Sequence, residues 1–185
     1  MAVPDRDTVR QLLADARLPH GIVVHSEGVA RVARAGAGLV AEASIPVDGA
    51  LVEAAALLHD IDKEEIRRSG GEHGVVGARQ LEAAGFAELA MPVASHPLQA
   101  LLDDDRFPIG WPSVLVAVAD RHVAQEFMTI DDRLDDMKTR HPEHVESIES
   151  ARRPAHVLEE QLAEATGLSV DALVARLRAA WEAAP

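Results

Sequence analysis

The chain of 185 residues has no cysteine and no tyrosine, and only three phenylalanines and two tryptophans. Without cysteine there can be no disulfide, no thiolate zinc site and no cysteine nucleophile, and the composition fits a reducing compartment. With strand-favouring aromatics scarce and Ala and Leu plentiful, an all-α fold is the first expectation. Basic residues are also in short supply. Eighteen Lys and Arg stand against 31 Asp and Glu, a formal net charge of −13. Such a surface repels phosphate backbones, so a polynucleotide partner is not expected. A small anionic substrate stays open where bound metal offsets the acids locally. No apolar run approaches the roughly 18 residues of a membrane span. The opening stretch "MAVPDRDTVRQLLADARLP" lacks the apolar core of a secretory signal. A cytoplasmic protein with no membrane partner is expected.

What is present reads as helix. Apolar periodicity and capping residues predict helices near 5–17, 22–43, 48–60, 72–84, 87–96, 112–128, 130–139, 155–165 and 170–183. Pro112 and Pro154 are placed as first-turn prolines, Ser169 as an N-cap, and Gly85 and Gly167 as helix stops. Long breaks are expected at 101–112 and 139–147. The length suits one sizeable core, so a single domain over 1–185 is expected. Leu173, Leu177 and Trp181 recur at four-residue steps, a stripe read as core packing with a dimer contact as the alternative. Monomer and homodimer both stay open.

Two segments are apolar almost all round, "ALVEAAALL" before His59 and "SVLVAVA" before Asp120. Helices of that kind sit at the centre of a bundle. Each nevertheless runs into ionisable groups: His59-Asp60 in the first case and Asp120 in the second. A buried charge must be paired, protonated or bound to metal, unless the helix simply surfaces at its end. Further histidines stand in similar settings. His25 lies one turn before Val29 on the apolar face of its helix. His73 follows "SGGE" and is expected in the first turn of a helix, where the dipole would keep its ring neutral. His96 closes "MPVAS" just before Pro97. Taken alone, each is as well read as an ordinary core or surface histidine.

Together, His25, His59-Asp60, His73, His96 and Asp120 form an ordered set. It is carried by "HSEGVARVA", "AALLHDIDK", "HGVVGA", "ASH" and "VAVAD". This order resembles the HD-domain superfamily of metal-dependent phosphohydrolases. With two histidines between the HD pair and the last Asp, it is similar to binuclear members such as the symmetrical diadenosine tetraphosphate hydrolases. The resemblance implies an all-α, HD-type helical bundle with the metal site at its centre. The HD core would span about 20–128, and a C-terminal helical extension about 129–185 would pack on it. It further implies that His25, His59, Asp60 and Asp120 hold one divalent ion, with His73 and His96 holding a second through a bridging Asp60. Four imidazoles and two carboxylates suit Fe, Mn, Co or Zn better than Ca or Mg. No organic cofactor is expected.

On the same resemblance, Asp60 and Lys63 are the catalytic candidates. Lys63 is assigned to substrate phosphate, its alternative being a solvated lysine, and Arg121 is a second substrate-binding candidate. The substrate would be a small anionic phosphoester of the nucleotide class, opened by metal-activated water. Three positions depart from the pattern. Ile22 stands where an arginine is frequent, Pro97 where the diadenosine hydrolases tend to carry Thr, and "RHVAQEFM" follows Asp120 in place of an Ile-Glu-Pro type segment. They motivate an alternative: a binding or regulatory module that keeps the metal without turnover. His20, His122, His141, His144 and His156 are read as non-ligands.

Overall fold

The computed structural model describes residues 3–183. Met1, Ala2, Ala184 and Pro185, which the sequence reading includes in its single domain, lie outside the described residues. Ten α-helices account for most of the chain, and no strand forms among the described residues beyond one isolated bridge. The all-α expectation holds.

Polar side chains start several of these helices. Asp5 caps α1 (Arg6–Ala16) by accepting the Thr8 N–H, and Asp48 caps α3 (Gly49–Leu58) by accepting those of Ala50 and Leu51. Each bond satisfies an amide that the helix itself leaves without a partner. Ser169 caps α10 (Val170–Glu182) as expected, accepting from Ala172 at 3.2 Å. Gly85 and Gly167 end their helices at φ +90° and +68°.

The centre is built from α2 (His20–Glu42), α3 and α7 (Trp111–His122), which pack on one another. Ala54, Ala55 and Ala56 are buried, and α7 is buried continuously from Ser113 to His122. Small residues set the spacing. A Cβ on Gly36 would lie 2.7 Å from Leu115 Cδ2, and one on Gly28 would lie 2.2 Å from the Trp181 ring. α10 therefore seats its Trp181 directly on the α2 backbone. Leu173 and Leu177 are fully buried above it, which makes the expected stripe core packing.

Four local expectations are corrected. A short helix, α4 (Lys63–Ser69), follows the HD pair where none was expected. It has no buried residue, so it carries no apolar periodicity to read. In 87–96, a 3₁₀ turn at Ala87–Leu89 precedes α6 (Ala90–Ser95). The helix expected to run to 128 ends at His122. The chain turns back through the Val123–Phe127 bridge, closed by the Met128 N–H on the His122 carbonyl at 2.8 Å. Val123 and Phe127 are both buried, a four-residue spacing that a tight turn satisfies as well as a helix would.

Pro154 opens no helix but lies inside α9 (Val145–Ala165). The buried stripe Ile148, Ala151, Ala155, Leu158 and Leu162 runs through it unbroken, and that burial outweighs the one amide donor that proline lacks. α8 (Ile130–Arg140) leads into a 3₁₀ turn at Pro142–His144, and α9 begins directly after it. No helix among the described residues is long and apolar enough to cross a membrane.

Candidate metal centre

The N-terminal part of α2 meets the C-terminal ends of α3 and α7, and this convergence gathers the chemistry. Asp60 is 2% exposed and Asp120 8%, so neither helix surfaces at its end. His25 Nε2 lies 3.1 Å from Asp120 Oδ1 and 3.9 Å from Asp60 Oδ2. His59 Nε2 lies 3.5 Å from Asp60 Oδ2 and 3.7 Å from Asp120 Oδ1. On the other side of the same carboxylate, His73 Nε2 is 3.2 Å and His96 Nε2 3.6 Å from Asp60 Oδ1, and the two ring nitrogens are 3.1 Å apart. Asp60 thus turns one oxygen toward His25 and His59 and the other toward His73 and His96. Two compact donor sets result among the described residues, His25–His59–Asp120 and His59–Asp60–His96.

The rings are held with their far nitrogens occupied. His59 Nδ1 donates to the Ala56 carbonyl at 2.7 Å, and His96 Nδ1 to the Val93 carbonyl at 2.6 Å. His73 Nδ1 donates to Asp62 Oδ1 at 2.8 Å. On His59 and His96, a proton fixed on Nδ1 leaves the Nε2 lone pair facing inward, the orientation of a metal-bound histidine. His59 Nε2 is buried with no hydrogen-bond partner, and the half-exposed Lys63 ammonium, at 2.9 Å, is the cation nearest the buried Asp60 Oδ2. An orphaned buried acceptor is costly. A cation between the His59 nitrogen and the Asp60 oxygen removes the cost, so the residues present fit a divalent ion.

Protonation follows the same logic. Burial pushes the Asp60 carboxyl up, but His59, His73, His96 and Lys63 together hold it well below the usual carboxylate range. Asp120 is treated alike, burial being overcome by Arg121, His25 and His59. Burial pushes His59 down, and His96 down to about 4, leaving both neutral. Ionised carboxylates beside neutral imidazoles are what a transition metal requires.

His73 departs from expectation twice. It precedes α5 (Val75–Ala83) and its N-cap Gly74, so it is not in the first helical turn. Nor is its ring kept neutral. Burial alone would lower its pKa, but Asp60 and Asp62 raise it to about 9. Asp60 lies 3.2 Å from its Nε2, and Asp62, on its other nitrogen, also accepts the Gly74 and Gly77 N–H groups at 2.7 and 2.9 Å. The helix end spends its positive charge on Asp62, and His73 faces that carboxylate instead.

A pH dependence follows. In the metal-free protein, stability from the raised His73 is fully present below its ordinary value of 6.5 and is lost as pH rises through about 9. Metal binding at this ring must release that proton. Between pH 6.5 and about 9, affinity there is expected to weaken roughly tenfold for each unit the pH falls. Calorimetric titration in buffers of different ionisation enthalpy measures the proton released.

Asp62 lies within the motif, yet its role was not assigned from sequence. Its only sequence signal is an acid one turn from a cluster of ligand types. It is fully buried and holds His73 in place. Asp62→Ala is expected to weaken metal binding or activity by about 10–100-fold while leaving the other imidazoles seated. Metal titration of the variant against wild type checks this. Gly74 adds a steric fix: at φ +82°, a Cβ there would meet the Pro97 Cγ and the Val93 carbonyl oxygen at 2.8 Å. Pro97 thereby packs the His73 loop against the His96 turn.

Lys63 opens α4, with Nζ 2.9 Å from Asp60 Oδ2 and a side chain 43% exposed. It lines both cavities over the cluster, of about 440 and 240 Å³. Arg121, expected from the sequence as a substrate contact, lines the smaller cavity. It is 4% exposed, and its two terminal nitrogens bond Asp120 Oδ2 and the His96 carbonyl. It therefore braces two of the clustered residues. His122 is buried against Glu159 and the Met128 carbonyl, and His20 and His156 stand away from the cluster. His141 and His144, however, line the smaller cavity together with Arg133, a residue not singled out from sequence.

A family model described as HD domain matches residues 22–125. No curated protein and no solved structure gives a significant match to the chain.

Proposed function

The chain belongs to the HD domain family, and from that premise we propose that it is a metal-dependent phosphohydrolase acting on a small nucleotide or related phosphoester. The observation that carries the proposal is Asp60: a buried carboxylate with an oxygen facing each of two histidine pairs. In this reading His25, His59, Asp60 and Asp120 hold one ion, and His73 and His96 hold a second that shares Asp60. Fe, Mn, Co and Zn suit these donors.

Divalent ions held there would supply a nucleophile-generating Lewis acid and positive charge to offset the phosphoryl oxygens. The chain's own residues do the rest. Asp60, Asp120 and the neutral imidazoles fix where that charge sits. Arg121 holds Asp120 Oδ2, leaving Oδ1 toward His25 and His59. Lys63, half-exposed at the junction of the two cavities, can turn from Asp60 to a phosphate oxygen of the substrate. The burial of His59, Asp60 and His96 keeps bulk water from competing for their donor atoms.

The alternative, a module that keeps its ions without turnover, draws on Ile22, an apolar group lining the larger cavity. One experiment separates the readings. Protein supplemented with Mn or Co is offered bis(p-nitrophenyl) phosphate and then a nucleotide panel. Metal-dependent release of p-nitrophenol or phosphate supports the hydrolase. Bound metal with no turnover of any phosphoester supports the module, and preferential degradation of structured RNA or duplex DNA contradicts a small-substrate enzyme.

A further inference from the structure

Arg133 lies on α8, beyond the family-matched residues 22–125. Its side chain is 14% exposed, and its Nε is buried with no hydrogen-bond partner. The nearest carboxylate, Asp136, is 3.5 Å from its Nη1 and is already engaged by Arg140 at 2.6 and 3.0 Å. One carboxylate thus serves two guanidinium groups. In a chain of net charge −13, an under-neutralised and largely buried arginine needs a reason.

Its position supplies one. Four residues line both cavities over the metal centre: His25, Asp60, Lys63 and Arg133. The first two belong to the ligand cluster. Lys63 and Arg133 are the cations that frame the passage between the cavities. The acids Asp60, Glu126 and Asp136 line the larger cavity against Lys63, Arg133 and Arg140. Once Asp60 is committed to a cation, this mouth carries a positive surplus. The guanidinium fork matches two oxygens of one phosphoryl group, and a partly desolvated fork binds them more strongly than an exposed lysine. Burial pushes the Arg133 guanidinium down, with Asp120 opposing and Arg121 and Arg140 adding to the push. A bound anion would relieve that strain.

We propose that Arg133 is a substrate-specificity residue that grips a phosphoryl group next to the one lying over Asp60, so that the preferred substrate is a diphosphate or longer oligophosphate and not a simple monophosphate. The proposal rests on the phosphohydrolase reading, because that reading places the first phosphoryl group over Asp60. A purely structural Arg133 would pair with Asp136, and its loss would change stability without changing selectivity.

The test uses full-length protein loaded with Mn and desalted, as wild type, Arg133→Gln and Arg133→Lys. Each is titrated calorimetrically with inorganic orthophosphate and with pyrophosphate. Circular dichroism before titration and metal content after it confirm that fold and ions are retained. Expected is a pyrophosphate affinity lowered by roughly tenfold or more in Arg133→Gln, with orthophosphate affinity unchanged and partial recovery in Arg133→Lys. Equal losses for both anions, no loss for either, or wild type that fails to bind pyrophosphate would overturn the proposal. The hydrolase reading fails separately. Arg133-dependent selectivity in a protein that turns over no phosphoester keeps the subsite and removes the enzyme. Turnover with selectivity intact in Arg133→Gln keeps the enzyme and removes the subsite.

Discussion

Asp60→Asn is expected to lower phosphoester hydrolysis by more than a hundredfold, beyond the ~10–100-fold typical of residues that only support metal ligands. The amide keeps the side chain's shape, so the loss reports charge and donor character more than packing. Asp60 is 2% exposed and faces His59 and Lys63 from one oxygen, His73 and His96 from the other. The cluster's other carboxylate, Asp120, pairs with His25 and His59. Steady-state rates in saturating Mn, with circular dichroism as the control for folding, check the expectation. Activity within a few-fold of wild type would remove Asp60 from the centre of the site.

The second large effect concerns the frame that holds the site. Leu115→Ala is expected to destabilise the protein by about 2–5 kcal/mol, because Leu115 is 1% exposed and the truncation leaves a cavity between α7 and α2. Gly36→Ala sets two effects against each other. Alanine gains up to about 1 kcal/mol in helix propensity. Its Cβ, however, would sit 2.7 Å from Cδ2 of the buried Leu115, which must shift within a packed core to admit it. The clash is expected to win, making the single variant destabilising. In the double variant the added methyl partly fills the space vacated by Leu115, so its loss should fall well short of the two singles combined. Urea unfolding of all four proteins gives the coupling. Strict additivity would mean that α2 and α7 do not meet at this point.

Much of this was legible in the sequence because it follows from local pattern. Ser169 before an apolar stretch announced α10, and Gly85 and Gly167 announced helix ends. The ligand cluster was legible because all-apolar segments ending in His59-Asp60 and Asp120 are anomalous unless something neutralises the charge.

Other features depend on tertiary contacts that no window of sequence contains. α4 buries nothing and so leaves no periodic trace. Pro154 reads locally as a helix start, and only the stripe from Ile148 to Leu162 packed against the core keeps α9 continuous. His73 sat near a helix start as expected, but its charge state is decided by Asp60 and Asp62, more than ten residues earlier in the chain. Arg133 looked like any surface arginine of an acidic helix until the fold placed it over Asp60.

That six residues from separate elements form one divalent metal centre is tested most directly by elemental analysis. Wild-type protein and Asp60→Asn are purified side by side without chelators. Expected is Fe, Mn, Co or Zn at a measurable metal-to-protein ratio in wild type and a ratio near background in Asp60→Asn, since the ligand that both proposed ions share is lost. A wild-type protein that emerges free of metal, and that fails to take up any of the four ions on titration, would contradict it.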